Sequence, residues 1–394
     1  MMKSFNRVRR IRMIGTLCFL VIYFTVKAQT NTYSVKDWWK PASPKFSPVV
    51  DQNGNITFRV KARQAQSVSV SFGEWDVHPQ QMMKDTAGVW STTIGPVEPG
   101  IYAYTFSIDG VRTLDFTNPS VKAGTEVYSN VVEVPGRPTP RFDELQQVPH
   151  GSLITLRYTS TPLKRPRSLR VFLPPGYDNN RSDNYPVLYL RHGGGDDETS
   201  WTQQSGSADI ILENLIAIKQ AVPMIIVMPN GLTDGSWAGG STKDGMEQLE
   251  EELLRDVIPM IEKQFRVKKD RNARAIAGLS MGGGQAYIMG LRHPELFSWI
   301  GEFSAGLLSD KDFDINERAP GVFNNPAALN ARLNLLFIGC GTDDPRMPGH
   351  TQLAAQLKNT GIKHEVYNIP GGHEWKVWRE QLRFFMTRIF RSKK

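Results

Sequence analysis

Hydrophobic and polar positions alternate through the first third of the chain. Ile56, Phe58 and Val60 alternate with Thr57, Arg59 and Lys61. Val68, Val70 and Phe72 alternate with serines, and Tyr102, Tyr104, Phe106 and Ile108 repeat the pattern. A period of two sends one face of each strand inward, and Asn53-Gly54 and Asp109-Gly110 supply turns. Short strands at this spacing predict a small all-β sandwich over residues 29–136. The stretch PGRPTPRFDELQQ is rich in proline and polar residues, and residues 137–147 read as a linker.

From about residue 148 the pattern changes. SLRVFLPP and YPVLYLRHGGG are strand-like, and PMIIVMPNG is a continuous apolar run, as a strand buried on both faces should be. Between Gly245 and Phe265, apolar residues fall at Met246, Leu249, Leu253, Val257, Ile258, Ile261 and Phe265, which is helical spacing. RAIAGLS, LNLLFIGCG and HEVYNIP then read as strands, and GGGQAYIMGLRHPELF and HTQLAAQLKNTG as helices. Strands alternating with helices predict a mostly parallel α/β sheet with flanking helices over residues 148–394.

The N-terminus changes the charge picture. Lys3, Arg7, Arg9, Arg10 and Arg12 precede an apolar run from Met13 to Val26, and Val26-Lys27-Ala28 offers a cleavage site. The run is short for a membrane span, so residues 1–28 read as a cleavable signal peptide and the mature chain is expected to be periplasmic or secreted. Six basic residues and no acids leave with it, taking the formal charge from +8 to +2. The high pI is therefore largely a targeting feature and gives no case for nucleic acid. Only Cys340 remains after cleavage, so no internal disulfide can form.

The candidate chemistry sits at Gly278-Leu279-Ser280-Met281-Gly282, a G-x-S-x-G between a predicted strand and a predicted helix. In that context the serine occupies a sharp turn at the carboxyl edge of the sheet, with small residues on both sides because side chains would collide. The Met281 N–H then points to where an oxyanion would form. A serine needs a base. His293 lies in the helix after the serine, His364 at the wrong end of a strand, and His350 before a helix. His373, in NIPGGHEWKVW, follows the last strand at the carboxyl edge and is the candidate. The acid should follow the strand before it, where Asp343 and Asp344 both stand. His192-Gly193-Gly194-Gly195 presents bare N–H groups for the other half of an oxyanion hole.

At these residues the segment from about Val148 resembles the putative-esterase family. Within it the segment is similar to carbohydrate esterase family one, the feruloyl and acetyl xylan esterases. LYLRHGGGDDETSW, MIIVMPNG, AGLSMGGGQA, HPELFSWIGEFSAG, FIGCGTDD and GGHEWKVWR carry the resemblance. The part before it is similar to the early-set immunoglobulin-like, carbohydrate-binding-like modules that precede such esterases.

The resemblance implies an α/β hydrolase with Ser280 as nucleophile and His373 as base. Glycine-x-x-aspartate spacing from Gly341 lands on Asp344 as the acid, and Met281, Gly193 and Gly194 would stabilise the oxyanion. It also implies a serine esterase that removes feruloyl or acetyl groups from acylated plant polysaccharide such as xylan, with no metal and no cofactor. Where the family often continues the acid with an aromatic segment, Pro345, Arg346 and Met347 follow here. Trp201, Trp237, Trp375 and Trp378 are candidates to line the substrate cleft. Two other functions fit the residues: an enterochelin-type siderophore esterase, and a carbohydrate-binding protein on a hydrolase scaffold. Since no candidate catalytic group lies in residues 29–136, the segment from about Val148 is expected to hydrolyse small soluble esters alone.

Overall fold

Two antiparallel sheets form from the alternating part of the sequence. A computed structural model describes residues 46–75, 77–177, 183–307 and 313–391, so the expected signal peptide lies outside the described residues. One sheet runs in the order Val49–Val50, Ile56–Lys61, Val89–Ile94 and Met83–Lys84. The other runs in the order Gln80–Gln81, Val68–Phe72, Gly100–Ile108, Val127–Val134 and Val121–Ala123, with Val111–Thr113 beside Gly100–Ile108. Their inward residues, among them Ile56, Phe58, Val68, Val70, Tyr104, Phe106 and Val132, bury one another. Trp90 belongs to this core, and its indole N–H donates to the Ala62 carbonyl at 2.9 Å.

The larger sheet has eight strands: Ser152–Ser160, Arg165–Leu173, Ile225–Pro229, Val187–Arg191, Arg274–Leu279, Trp299–Phe303, Leu335–Gly341 and Glu365–Ile369. The first two pairings are antiparallel and the remainder parallel. Central strands are buried throughout because helices cover both faces. On one face Val187, Tyr189, Ile276 and Ile300 pack with the helices Lys243–Glu252, Ile258–Gln264, Ser280–Arg292 and Met347–Asn359. On the other, Leu188, Leu190, Ala275 and Ala277 pack with Ala208–Ala217 and Trp375–Arg388. This is the α/β-hydrolase architecture, preceded by the antiparallel sheets.

Two elements differ from the sequence reading. The helix expected over residues 245–265 is interrupted by a π-helical turn, Leu253–Val257. Pro259 offers no N–H to the Arg255 carbonyl, and the wider turn accommodates the missing bond. The stretch 137–147 is a packed connector instead of a free tether. Asp143 is buried and accepts from Arg379 Nε at 2.7 Å, and the Asn214 amide donates to the Phe142 and Glu144 carbonyls. Residues on either side of it belong to one compact unit.

Candidate active site

The strand Arg274–Leu279 ends at Ser280, which begins the helix Ser280–Arg292. Ser280 has φ 50°, in the left-handed region. A Cβ on Gly278 would collide with the Gly282 carbonyl, and one on Gly282 with the His192 carbonyl. Both glycines are therefore demanded by backbone packed against backbone. The result is a serine side chain lifted off the sheet edge at the positive end of a helix.

His373 follows the strand Glu365–Ile369 and lies against this serine. Its Nε2 is 3.0 Å from Ser280 Oγ, and its Nδ1 is 2.7 Å from Asp344 Oδ2. With the proton on Nδ1, the ring donates to the carboxylate and accepts from the hydroxyl. That is the arrangement that turns a serine hydroxyl into a nucleophile. Burial lowers the His373 pKa and the Arg346 charge lowers it further, against the raising effect of Asp344; the net shift is downward. Burial would raise Asp344, but the His373 contact, the Arg346 N–H and the Arg346 charge outweigh it, and its pKa is lowered. The edge of Trp378 packs on the imidazole, ring centres 4.8 Å apart.

The two neighbouring aspartates separate clearly. Asp344 is buried, and its second oxygen accepts from the Arg346 N–H at 2.9 Å. Asp343 is exposed, and its carboxylate accepts from the Gly371 N–H at 3.2 Å. The other histidines after the serine lie elsewhere. His350 is buried 3.1 Å from Glu302, and His293 lies between Glu250 and Glu295.

The glycine loop after the strand Val187–Arg191 also reaches the serine. A Cβ on Gly193 would lie 3.4 Å from Ser280 Cβ. The Gly193 backbone hydrogen-bonds the buried Asp196 carboxylate, which burial pushes up to about 7 while Lys122 pulls it down. A Cβ on Gly194 would meet the Trp237 ring, and Met281 lines the same cleft as Ser280.

The tryptophans need correction. Trp201 and Trp375 are each only 1% exposed, so neither lines the cleft. They pack edge to face against each other at 5.1 Å, and Trp201 donates to the Arg191 carbonyl at 2.9 Å. Trp237 is 59% exposed, and it does line a cleft of about 400 Å³ with Ser280, Met281, Leu307 and Arg346. Its carbonyl accepts from the Gly195 N–H at 2.7 Å. Gln285, not singled out in the sequence, ties this wall to the helix that begins at Ser280: its amide donates to Gly231 and Gly240 carbonyls and its oxygen accepts from Arg191. Nothing in the local pattern marks it apart from its place in the helix after the serine.

The antiparallel sheets supply contacts that the sequence reading did not foresee. The Trp75 ring packs where a side chain on Gly372 would be, next to His373. Glu74 Oε2 accepts from the Trp375 N–H at 2.9 Å. On the opposite side, the Gly195 carbonyl accepts from the Thr125 N–H at 2.8 Å and the Tyr128 hydroxyl at 3.0 Å. Gln203 pairs with both backbone groups of Ala123. The loops carrying the histidine and the glycines are thus each held from outside the larger sheet.

Residues 160–386 match the family described as Putative esterase. An endo-1,4-β-xylanase/feruloyl esterase of Xylanibacter ruminicola is 34% identical over 351 residues, covering 87% of this chain. The chain spans 46% of that protein's length. Among solved structures, a ferulic acid esterase is 28% identical with a TM-score of 0.51, and the match covers 60% of this chain and 98% of that one. The enterobactin esterase of Shigella flexneri is 18% identical with a TM-score of 0.64, and there the match covers 84% and 92%. That last likeness is one of fold, and its extent takes in the antiparallel sheets.

Proposed function

Because the chain belongs to the Putative esterase family and is a carboxylic ester hydrolase, we propose that it removes feruloyl groups from plant cell-wall polysaccharide. Ser280 is the nucleophile, His373 the base and Asp344 the acid that orients it. Ser280 Oγ attacks the ester carbonyl as its proton passes to His373 Nε2. The Met281, Gly193 and Gly194 N–H groups stabilise the oxyanion. The tetrahedral intermediate collapses, His373 returns the proton to the departing alcohol, and an acyl-enzyme remains. Water, deprotonated by the same histidine, then releases the acid. Asp344 holds the imidazole in one tautomer and stabilises its charged form.

The observation that carries the phenolic reading is the cleft beside Ser280. At about 400 Å³ it has more room than an acetyl group needs. Trp237 offers an exposed ring face for an aromatic acid, and Arg346 a guanidinium. A relative bearing a feruloyl esterase name supports the same reading. The basic, apolar N-terminus supports action outside the cytoplasm. Product analysis on feruloylated and acetylated arabinoxylan tests this: ferulate release with little acetate is expected, and acetate release alone would overturn it.

A second reading, a siderophore esterase, is favoured by one observation. The fold likeness to an enterobactin esterase extends over 84% of this chain. Turnover of a cyclic catecholate triester faster than of methyl ferulate would select it.

A further inference from the structure

A second cleft of about 480 Å³ has His373, but not Ser280, in its wall. His373 and Trp378 form one wall, and the antiparallel sheets form the rest through Glu74, Arg112, Lys122 and Tyr128. Its place relative to the histidine fixes what it can hold. The proton on Nε2 goes to the departing alcohol, so the alcohol leaves on the histidine side of the serine. The cleft with Trp237 and Arg346 is lined by Ser280 and Met281 and not by His373.

The charges of the second cleft are unequal. Glu74 is already engaged by the Trp375 N–H at 2.9 Å. Arg112 donates to the Tyr128 carbonyl, and Lys122 sits 5.6 Å from the centre of the Tyr128 ring. Among the described residues neither cation has an ion-pair partner. Ser71, Thr105 and Ser129 add hydroxyls. In the lining two cations face the one carboxylate of Glu74, and Lys122 also acts on the buried Asp196 outside it; with the hydroxyls of the wall this suits a sugar acid better than a neutral sugar.

We propose that this cleft is the subsite for the alcohol half of the ester, and that Arg112 and Lys122 select an alcohol carrying a carboxylate. The inference rests on the roles given above to Ser280 and His373, but not on the nature of the acyl group. The sandwich would then contribute substrate recognition directly at the reacting bond.

The test uses the full chain and p-nitrophenyl acetate, whose acyl group makes no demand on the phenolic cleft. Methyl glucuronoside and its uncharged carboxamide are compared as inhibitors. The carboxylate is expected to inhibit with a Ki about five-fold lower, the effect of two partly exposed ion pairs. In Arg112→Gln/Lys122→Gln the ratio of the two constants should fall to about one. Equal inhibition in the native protein, no inhibition by either sugar, or a ratio that survives the double substitution would each overturn the proposal. Nuclear magnetic resonance titration of both sugars into Ser280→Ala gives the same comparison without catalysis. Failure of the phenolic reading shows up separately, as absent turnover of methyl ferulate.

Discussion

The two parts of the molecule divide the work unevenly. The parallel sheet carries the groups proposed to react, Ser280, Asp344 and His373, each just past the carboxyl end of a strand. The antiparallel sheets carry none of them. Yet Glu74 and Trp75 brace the histidine loop, and Thr125 and Tyr128 brace the glycine loop. Strands buried on both faces make a rigid platform, but the loops beyond their ends have only what packs against them. In this protein part of that packing comes from a different sheet system. Chemistry and the placement of chemistry therefore have different structural owners.

Substitutions can sharpen or break that division. Ser280→Ala should lower kcat on a small aryl ester by on the order of a millionfold. Asp344→Asn should cost roughly four orders of magnitude, because the imidazole loses the carboxylate that sets its tautomer and charge. Circular dichroism would confirm that both remain folded. Trp75→Ala, outside the parallel sheet, should cost about ten- to a hundredfold through a misplaced histidine. An unchanged kcat there would make the sandwich a mere appendage at this loop.

The pH profile separates placement from chemistry further. His373 must be neutral to act, and its pKa is lowered, chiefly by burial. The acid limb of kcat/KM should therefore fall below pH 6.5, with activity lost as the pH drops through that lowered value and the ring takes a proton. Removing Trp75 exposes the loop to water, weakens the largest cause of the shift and should move the limb upward towards 6.5. The smallest effect belongs to Asp343→Asn, well under tenfold, since that side chain is exposed and, among the described residues, accepts from the Gly371 N–H alone. A large loss there with Asp344→Asn still active would reverse the roles.

Much of this was legible in the sequence, for definite reasons. A strand-turn-helix around G-x-S-x-G leaves few places for a serine, and a histidine after the last strand of such a sheet has few places to point. The strand Ser152–Ser160 escaped notice because it lies at the sheet edge, where half its residues face water and the apolar signal is weak. The burial of Trp201 and Trp375 escaped for the opposite reason: an indole looks the same in sequence whether it fills a core or lines a cleft. The bracing by Glu74 and Trp75 joins residues about 300 positions apart. No local pattern encodes such a contact, since it arises only once both folds exist. The π-helical turn was hidden because it leaves the spacing of the apolar stripe nearly intact.

The backbone at Ser280 bears on how this enzyme can change over evolutionary time. A φ of 50° is tolerated by serine at some cost and is poorly suited to a β-branched residue. Threonine offers the same hydroxyl, but a β-branched side chain is disfavoured at this φ. The nucleophile is thus confined to a small set of unbranched side chains by conformation before chemistry is consulted. The same turn marks a place where selection for thermal tolerance and selection for turnover pull apart. Glycine there would relieve roughly 1 kcal/mol of local strain and abolish the reaction, so a lineage drifting towards a binding role has an easy first step.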